Sequence, residues 1–361
     1  IGLGHLGVDP SSSPWTSEEV IAHTSGFDAF IDGHSHTVME NKQVQDASGK
    51  AVTLTQTGSY FANVGEMTIA ADGTITTKLI PTHEGMDAGI AAMQTSWVNT
   101  VDDMLGEKIA VGDSDFYVSD PATGKRRIRS AETNLGDFVA DGIYAYFNEV
   151  EKLHCDLAIM NGGGIRADVP AGDWTFKTCK QVSPFGNVAC LMSVTGKQIQ
   201  DALEFAARFA GEGGKENGGF LQVAGATYEI HTDIPNTVQT DEKNVWIGSA
   251  TGTPRVQNVK IYDKASGSYL PLDPGATYAL AGMNYTLRNL GDGFAMFDGA
   301  ELIKDYVSED YLVMATYAMT FDGADAAGLP HLSSANSPLA AYPGYLLNYE
   351  QPYGAGRITI L

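Results

Sequence analysis

Two histidines stand two residues apart in Gly33-His34-Ser35-His36, after an apolar run, and His5 stands in a similar place in Gly4-His5-Leu6-Gly7. Neutral imidazoles at strand ends can reach one space and suit zinc, manganese, iron or nickel. Parallel strands ending at one sheet edge would bring His5 and His34 together. A second constellation is Asn161-Gly162-Gly163-Gly164-Ile165-Arg166. Its glycines let backbone amides approach an anion, and Arg166 adds a planar fork for phosphate oxygens. A third joins two rings, Phe185 and Tyr285, to the carboxylate of Asp292 in Gly291-Asp292-Gly293. Rings stack on flat bases, and a carboxylate accepts from sugar hydroxyls. Taken singly, each has a plainer reading. His5 suits a satisfied core position, the glycines a tight turn and the rings a core, while Asp32 is either an orienter of the histidines or a turn residue.

The elements that must position these groups alternate between strand and helix. Phe27–Ile31 reads as a buried strand running into the His34 loop. Val52–Thr57 and Asn63–Ile69 read as antiparallel strands, with Ala71-Asp72-Gly73 as a turn. Trp15–His23 reads as a helix with Ser17-Glu18-Glu19 near its start. Residues 86–112 form a helical linker and hinge, with Met93, Trp97, Val101 and Met104 at helical spacing. Asn134–Phe147 places Leu135, Phe138, Val139, Ile143 and Phe147 on one helix face. Leu157–Met160 is a short strand entering the triple-glycine loop. Thr195-Gly196-Lys197-Gln198 has the form of a capping box, with a helix running on to Gly211. Gly211–Gly219, with five glycines in nine positions, reads as a mobile loop.

The 361 residues set an expectation of two domains. The net charge is −22, which disfavours nucleic acid polymers and anionic membranes as partners. No apolar run approaches the roughly 18 to 20 residues that span a bilayer. Lys125-Arg126-Arg127-Ile128-Arg129 places four basic residues in five positions, where even scatter of the 22 would place about 0.3. A small anion would find its positive charge there, although a solvated basic turn has the same composition. Cys155, Cys179 and Cys190 have no metal spacing and make no disulfide framework. Cys155 and Cys190 read as buried thiols, and Cys179 has a neighbour with which it could pair. Ile1–His5 has no basic or apolar leader region and reads like the end of a buried strand entered mid-domain.

Several of these motifs, in this order, resemble the 5'-nucleotidase family. Gly4-His5-Leu6-Gly7 is similar to its Thr-His-Leu-Gly element and Gly33-His34-Ser35-His36 to its Gly-His-Ser-His element. Asn161–Arg166, Pro184-Phe185-Gly186-Asn187 and Asn284-Tyr285 (an Asn-Phe pair in the family) resemble its substrate loops. Gly219–Gly225 and Glu132–Asp137 are further matches. The resemblance implies an α/β protein: the C-terminal part of a four-layer metallophosphatase sandwich over 1–85, a helical linker and hinge over 86–112, and a separate α/β nucleotidase C-terminal domain over 113–361. It implies two divalent metal ions, such as Zn or Mn, with His5, His34 and His36 among the ligands. Their role is to activate a bridging water and neutralise phosphoryl charge.

No counterpart is assigned between Ile1 and Leu361 for the family's other ligands, its bridging carboxylate or its catalytic His. The resemblance therefore places the N-terminal part of the metallophosphatase domain outside this sequence and assigns no catalytic residue. It implies that Arg129 (with Arg127 in reserve), Asn161, Gly163 and Arg166 clamp the polar end of a substrate. Phe185 and Tyr285 would sandwich a base, and Asp292 would hold a ribose. The implied activity of the parent enzyme is hydrolysis of nucleoside 5'-monophosphates to nucleoside and phosphate. A non-catalytic nucleoside- or nucleotide-binding module, a 2',3'-cyclic phosphodiesterase and a nucleotide-sugar hydrolase are the alternatives. The implied partner is a nucleoside or its monophosphate, with a homodimer among the allowed assemblies. The implied location is extracellular, cell-surface or periplasmic.

Overall fold

The structure, a computed structural model, describes residues 1–9, 12–82, 85–211 and 215–361. The chain separates into two units, residues 1–94 with 242–244, and residues 95–241 with 245–361. Both mix helices and sheets.

The smaller unit runs β1 (Gly2–Leu3), α1 (Ser17–Ala22), β2 (Ala29–Ile31), β3 (Val38–Gln45), β4 (Ala51–Thr57), β5 (Asn63–Ile69) and β6 (Ile75–Pro81). One sheet has the order β1-β2-β4-β3, with β1, β2 and β4 parallel and β3 antiparallel. Its core is Ile21, Phe30, Val52 and Leu54. Thr16 and Glu19 close a capping box on α1, because each side chain satisfies an amide that the first turn leaves unpaired. β4 does not pair with β5, against the sequence expectation. Instead β5 and β6 form their own hairpin, turned at Ala70–Thr74 with Gly73 at φ +87°. Helix α2 (Ala88–Leu105) follows. Most of its large apolar residues are exposed, Trp97 by 71% and Met104 by 72%.

The larger unit continues with β7 (Lys108–Gly112), α3 (Asn134–Ala145), β8 (Leu157–Asn161), β9 (Gly172–Thr175), α4 (Phe176–Val182), β10 (Ala189–Thr195), α5 (Gly196–Ala206) and β11 (Leu221–Ala224). Then come β12 (Ala226–Ile230), β13 (Gln239–Thr240), β14 (Trp246–Gly248), β15 (Val256–Asp263), β16 (Ser268–Pro271), β17 (Thr277–Met283), α6 (Asn284–Leu287), β18 (Glu301–Lys304), α7 (Asp310–Ala318), β19 (His331–Leu332) and β20 (Ile358–Ile360). The organising sheet has the order β11-β8-β17-β10-β18. β8 and β17 run parallel, while β10 and β11 run against them. Alternate residues of the sheet feed two cores. Ala158, Met160 and Leu191 enter one with Leu135 and Phe138, and Leu157, Ile159 and Met192 enter the other with Ile199 and Leu203.

Helix α3 is buried on every side rather than on one face. Its polar residues therefore need internal partners. Asn134 accepts from the Tyr117 amide and donates to the carbonyls of Asp115 and Tyr349. Asp141 accepts from Tyr345, Tyr349 and Arg357, the last at 2.7 Å. Arg357, fully buried, also lies 3.7 Å from Asp137 and donates to the carbonyls of Val223 and Leu346. Glu132 accepts the amides of Gly356, Arg357 and Ile358. Burial drives the Asp137 carboxyl well up, and the nearby Glu132 adds to the shift while Arg357 opposes it. Helix α5 ends at Ala206, short of Gly211, and residues 212–214 of the glycine-rich stretch lie outside the described residues.

Arg357→Met removes a buried cation from beside two buried carboxylates. The expected cost is about 3–5 kcal/mol, the range for breaking one side of a buried pair. Urea unfolding of the variant checks this, and a midpoint equal to that of the parent would refute the assignment.

Candidate functional site

In the smaller unit, parallel pairing of β1 with β2 sets Gly2 opposite Phe30 and Leu3 opposite Ile31. The loops that follow leave the sheet side by side. The His5 and His34 rings meet edge to face with centroids 5.2 Å apart, as parallel strand ends should place them. Glycines make the meeting possible. A Cβ on Gly33 would lie 3.0 Å from His5 Nδ1, and one on Gly7 would lie 3.1 Å from His34 Cδ2. His36 instead meets the Tyr60 ring, with centroids 6.2 Å apart. Asp32 holds loop backbone: its carboxylate accepts from the amides of Leu6 and Gly7 and from Gln56 Nε2. Among the described residues, no three His, Cys, Asp or Glu gather closely enough to hold a metal ion. Two imidazoles are a partial ligand set, so the described residues do not by themselves fit a divalent metal centre.

In the larger unit, one end of the organising sheet collects the remaining motifs. β8 runs parallel to β17, so Asn161 and Asn284 leave at the same end. β10 begins there, with Ala189 opposite Met283. Asn284 locks the two segments together, because its amide donates to the Val188 carbonyl and its Oδ1 accepts from the Val188 amide. This sets the loop carrying Phe185 beside the helix carrying Tyr285. β11 also begins there, after the turn at Asn217–Phe220.

Side-chain contacts join these segments in two groups, one centred on Asp292 and one on Arg166. Asn161 Nδ2 donates to Asp292 Oδ2 at 3.2 Å, and Tyr285 Oη donates to Asp292 Oδ1 at 3.0 Å. Arg166 Nη1 donates to the Gly163 carbonyl at 3.3 Å, and its guanidinium lies 5.6 Å from the Phe185 ring centre. Both rings are open to solvent, Phe185 by 58% and Tyr285 by 36%. Gly291 is needed beneath Tyr285, since a Cβ there would lie 2.5 Å from the ring. Asp292 sits at φ +55°, a left-handed conformation that Asp tolerates better than most residues. Burial raises its pKa, opposed first by the Tyr285 hydroxyl and then by Arg208, Asn161 and Arg129.

Arg129 is placed by the loop 128–131. Gln222 Nε2 holds that loop by donating to the carbonyls of Ile128 and Ala131. The Arg129 Nε is buried without a hydrogen-bond partner. Burial, with Arg126 and Arg166 nearby, pushes its pKa down to about 10, so it remains a cation at neutral pH. Arg127 instead lies over Tyr353 and donates to the Glu132 carbonyl, and Arg126 pairs with Glu216. Of the basic cluster, Arg129 is the member that shares a field with Asp292 and Arg166.

The triple glycine works differently from a bare anion cradle. The amides of Gly162 and Gly163 donate to the carbonyls of Phe220 and Gly218. These glycines permit close backbone approach: a Cβ on Gly162 would lie 2.3 Å from the Ile128 carbonyl oxygen. Sequence reasoning missed Arg208. Its guanidinium is 3.9 Å from the Phe205 ring centre, it is buried, and its positive charge acts on Asp292. Arg208 lies just past the end of α5 at Ala206, a place that gives no sequence signal of the carboxylate it acts on. All three cysteines are buried and free, so Cys179 does not pair.

Asp310 supports the Phe185 loop by accepting from the Asn187 amide. Burial raises its pKa from 3.8 to about 6. A raised folded-state pKa makes this carboxyl's contribution to stability greatest below pH 3.8, and that contribution is lost as pH rises through about 6. Asp310→Asn is expected to remove that component between pH 4 and 6. Urea midpoints of parent and variant across this window check it; parallel curves would refute the assignment.

Comparison with known proteins places the site in context. The model of a family described as "5'-nucleotidase, C-terminal domain" matches residues 110–299. The chain is 31% identical over 305 residues to the trifunctional nucleotide phosphoesterase protein YfkN of Bacillus subtilis, covering 81% of this chain and 19% of that protein. It is 26% identical to an apyrase of Tabanus yao (88% and 57%) and 25% identical to a human 5'-nucleotidase (88% and 55%). Thus it spans well under two thirds of each relative. The crystal structure of a 5'-nucleotidase precursor from Thermus thermophilus shares the fold, with a TM-score of 0.65 and 23% identity, over 95% of this chain and 61% of that one.

Proposed function

Because the chain belongs to the 5'-nucleotidase family, we propose that its larger unit binds nucleoside 5'-monophosphates for metal-dependent hydrolysis to nucleoside and phosphate. The observation that carries this reading is the network centred on Asp292 at one sheet end. It links a solvent-open ring, a half-buried carboxylate and an asparagine, with Arg129 in the same electrostatic field. Tyr285 and Phe185 would take the two faces of a base, which gives affinity with little choice among bases. Asp292 would accept from ribose hydroxyls. Arg129 and Arg166 would meet the phosphate, at a locally positive place on a chain of net charge −22. Asn161 and Gly163 would line the sugar side.

The hydrolytic half of the proposal concerns the smaller unit. His5 and His34 would contribute two imidazoles toward a divalent cation such as Zn or Mn, with His36 a further donor. No step is assigned through that cation, because the described residues do not complete a ligand set. The same observation favours a second reading, in which this chain binds nucleoside without turnover. Incubation with AMP and Mn or Zn separates the two. Phosphate release at enzyme-like rates supports hydrolysis, and adenosine binding without release supports the module.

Tyr285→Ala is expected to weaken adenosine binding by about 1–3 kcal/mol, the range for a base stacked on an aromatic ring. Calorimetric Kd values check this, and unchanged affinity would remove Tyr285 from the pocket. His34→Ala is expected to lower the Zn retained after dialysis. Equal metal content in parent and variant would overturn the ligand proposal.

A further inference from the structure

The Asp292 side chain is half-buried, and only part of its accepting capacity is used within the protein. A carboxylate has about four lone-pair sites, two on each oxygen. Tyr285 Oη takes one site on Oδ1, and Asn161 Nδ2 takes one site on Oδ2. These donors come from different elements, α6 and the end of β8, and grip the two oxygens separately. Together they fix the plane of the carboxylate. The orientation of the Asn161 amide is fixed as well, because an ionised carboxylate accepts only from its NH2 side. Its Oδ1 is left buried with no partner, although Asn161 is only 5% exposed. One lone pair on each Asp292 oxygen and the Asn161 carbonyl therefore remain as neighbouring acceptors. Such a group is matched by a ligand that brings several hydroxyl donors on adjacent carbons.

We propose that the Tyr285 hydroxyl is a positioning and specificity-determining group, holding Asp292 so that its remaining lone pairs receive a vicinal cis-diol and select ribonucleosides over 2'-deoxyribonucleosides. This rests on the nucleoside-binding reading above and deepens it. The ring and the hydroxyl of Tyr285 then have separable tasks. The ring covers a face of the base whatever the sugar, while the hydroxyl acts through Asp292 and matters most where a diol is read. The hydroxyl also has an electrostatic task. Asp292 is surrounded by Tyr285, Arg208, Arg129 and Asn161, all of which favour its charged form against burial. Losing one of these donors raises the carboxyl further. Diol binding needs the ionised carboxylate, so it is lost as pH falls through the Asp292 pKa, and that loss begins at higher pH without the hydroxyl.

The test uses the full chain with adenosine and 2'-deoxyadenosine, comparing parent, Tyr285→Phe and Asp292→Asn by calorimetry across pH. The parent is expected to prefer adenosine. In Tyr285→Phe adenosine should lose more affinity than deoxyadenosine, so that the ribo-to-deoxyribo ratio falls by about 3- to 10-fold, as expected for one hydrogen bond. The low-pH loss of adenosine binding should move to higher pH. In Asp292→Asn the ratio should flatten and this pH limb should disappear. A parent that binds both nucleosides equally overturns the proposal while leaving the nucleoside reading intact. So does a Tyr285→Phe variant with the parental ratio and pH limb, or an Asp292→Asn variant that keeps them. A parent that binds neither nucleoside overturns both readings.

Discussion

A buried arginine ties the end of the chain to its interior. Arg357 has no exposure, and its guanidinium faces Asp141 and Asp137 on α3 and carbonyls of β11 and Leu346. An uncompensated charge at such depth would be very costly, so the last strand must return to this place and no other. The consequence reaches the site through two short paths. Glu132, gripping Gly356 to Ile358, stands three residues from Arg129. Val223, accepting from Arg357, is next to Gln222, whose side chain holds the Arg129 loop. A cluster that does no chemistry thus sets the position of the Arg129 cation. Its role as a register lock is better supported than any claim of net stabilisation, since buried ion pairs often only break even against apolar packing.

The sheet explains why motifs far apart in sequence share one end. Asn161 ends a strand, Val188 precedes one, Asn284 follows one and Phe220 precedes another. Mixed parallel and antiparallel pairing turns these positions into neighbours. The glycines of the Asn161–Arg166 string are required by that convergence. With strand ends and loops so close, a Cβ on Gly162 would collide with the Ile128 carbonyl, and one on Gly164 would lie 2.5 Å from Met160 Cε. Backbone carbonyls also consume two of the amides. The positive character of this end thereby rests on side chains, chiefly Arg129 and Arg166.

Much of this was legible in the sequence where a local rule has no competitor. The Thr195–Gln198 capping box formed as its spacing implied, and the parallel strand ends brought His5 to His34. The Asn284 and Phe185 motifs are linked in the sequence only by the family resemblance, and the sheet sets their segments side by side. Tertiary choices were harder to read. β5 has two possible antiparallel partners by pattern, and it took β6 through a tight turn rather than β4. Helix α3 showed one apolar stripe, but its polar residues are also buried because partners arrive from positions more than 200 residues away. Arg208 was missed because a single arginine near a helix end carries no signal about the carboxylate it faces. The amide use of Gly162 and Gly163 was invisible for the same reason, as it depends on the distant segment that leads into β11.

The polarity of the site argues for a ligand with two unlike ends. Around Asp292 and Asn161 the available groups are acceptors, which suit hydroxyl donors. Around Arg129 the balance reverses. Burial and the fields of Arg126 and Arg166 depress its pKa, a cost of holding cations together out of water. Glu216 opposes that cost but is itself paired with Arg126. An anion placed among these guanidinium groups would relieve their mutual repulsion, whereas a neutral sugar alone would leave it standing. Acceptors near Asp292 suit hydroxyl donors, the crowded cations near Arg129 suit an anion, and the open rings on α6 and the Phe185 loop suit a flat apolar face. The proposed nucleoside monophosphate would use all three kinds of group, where a free base or inorganic phosphate would use fewer.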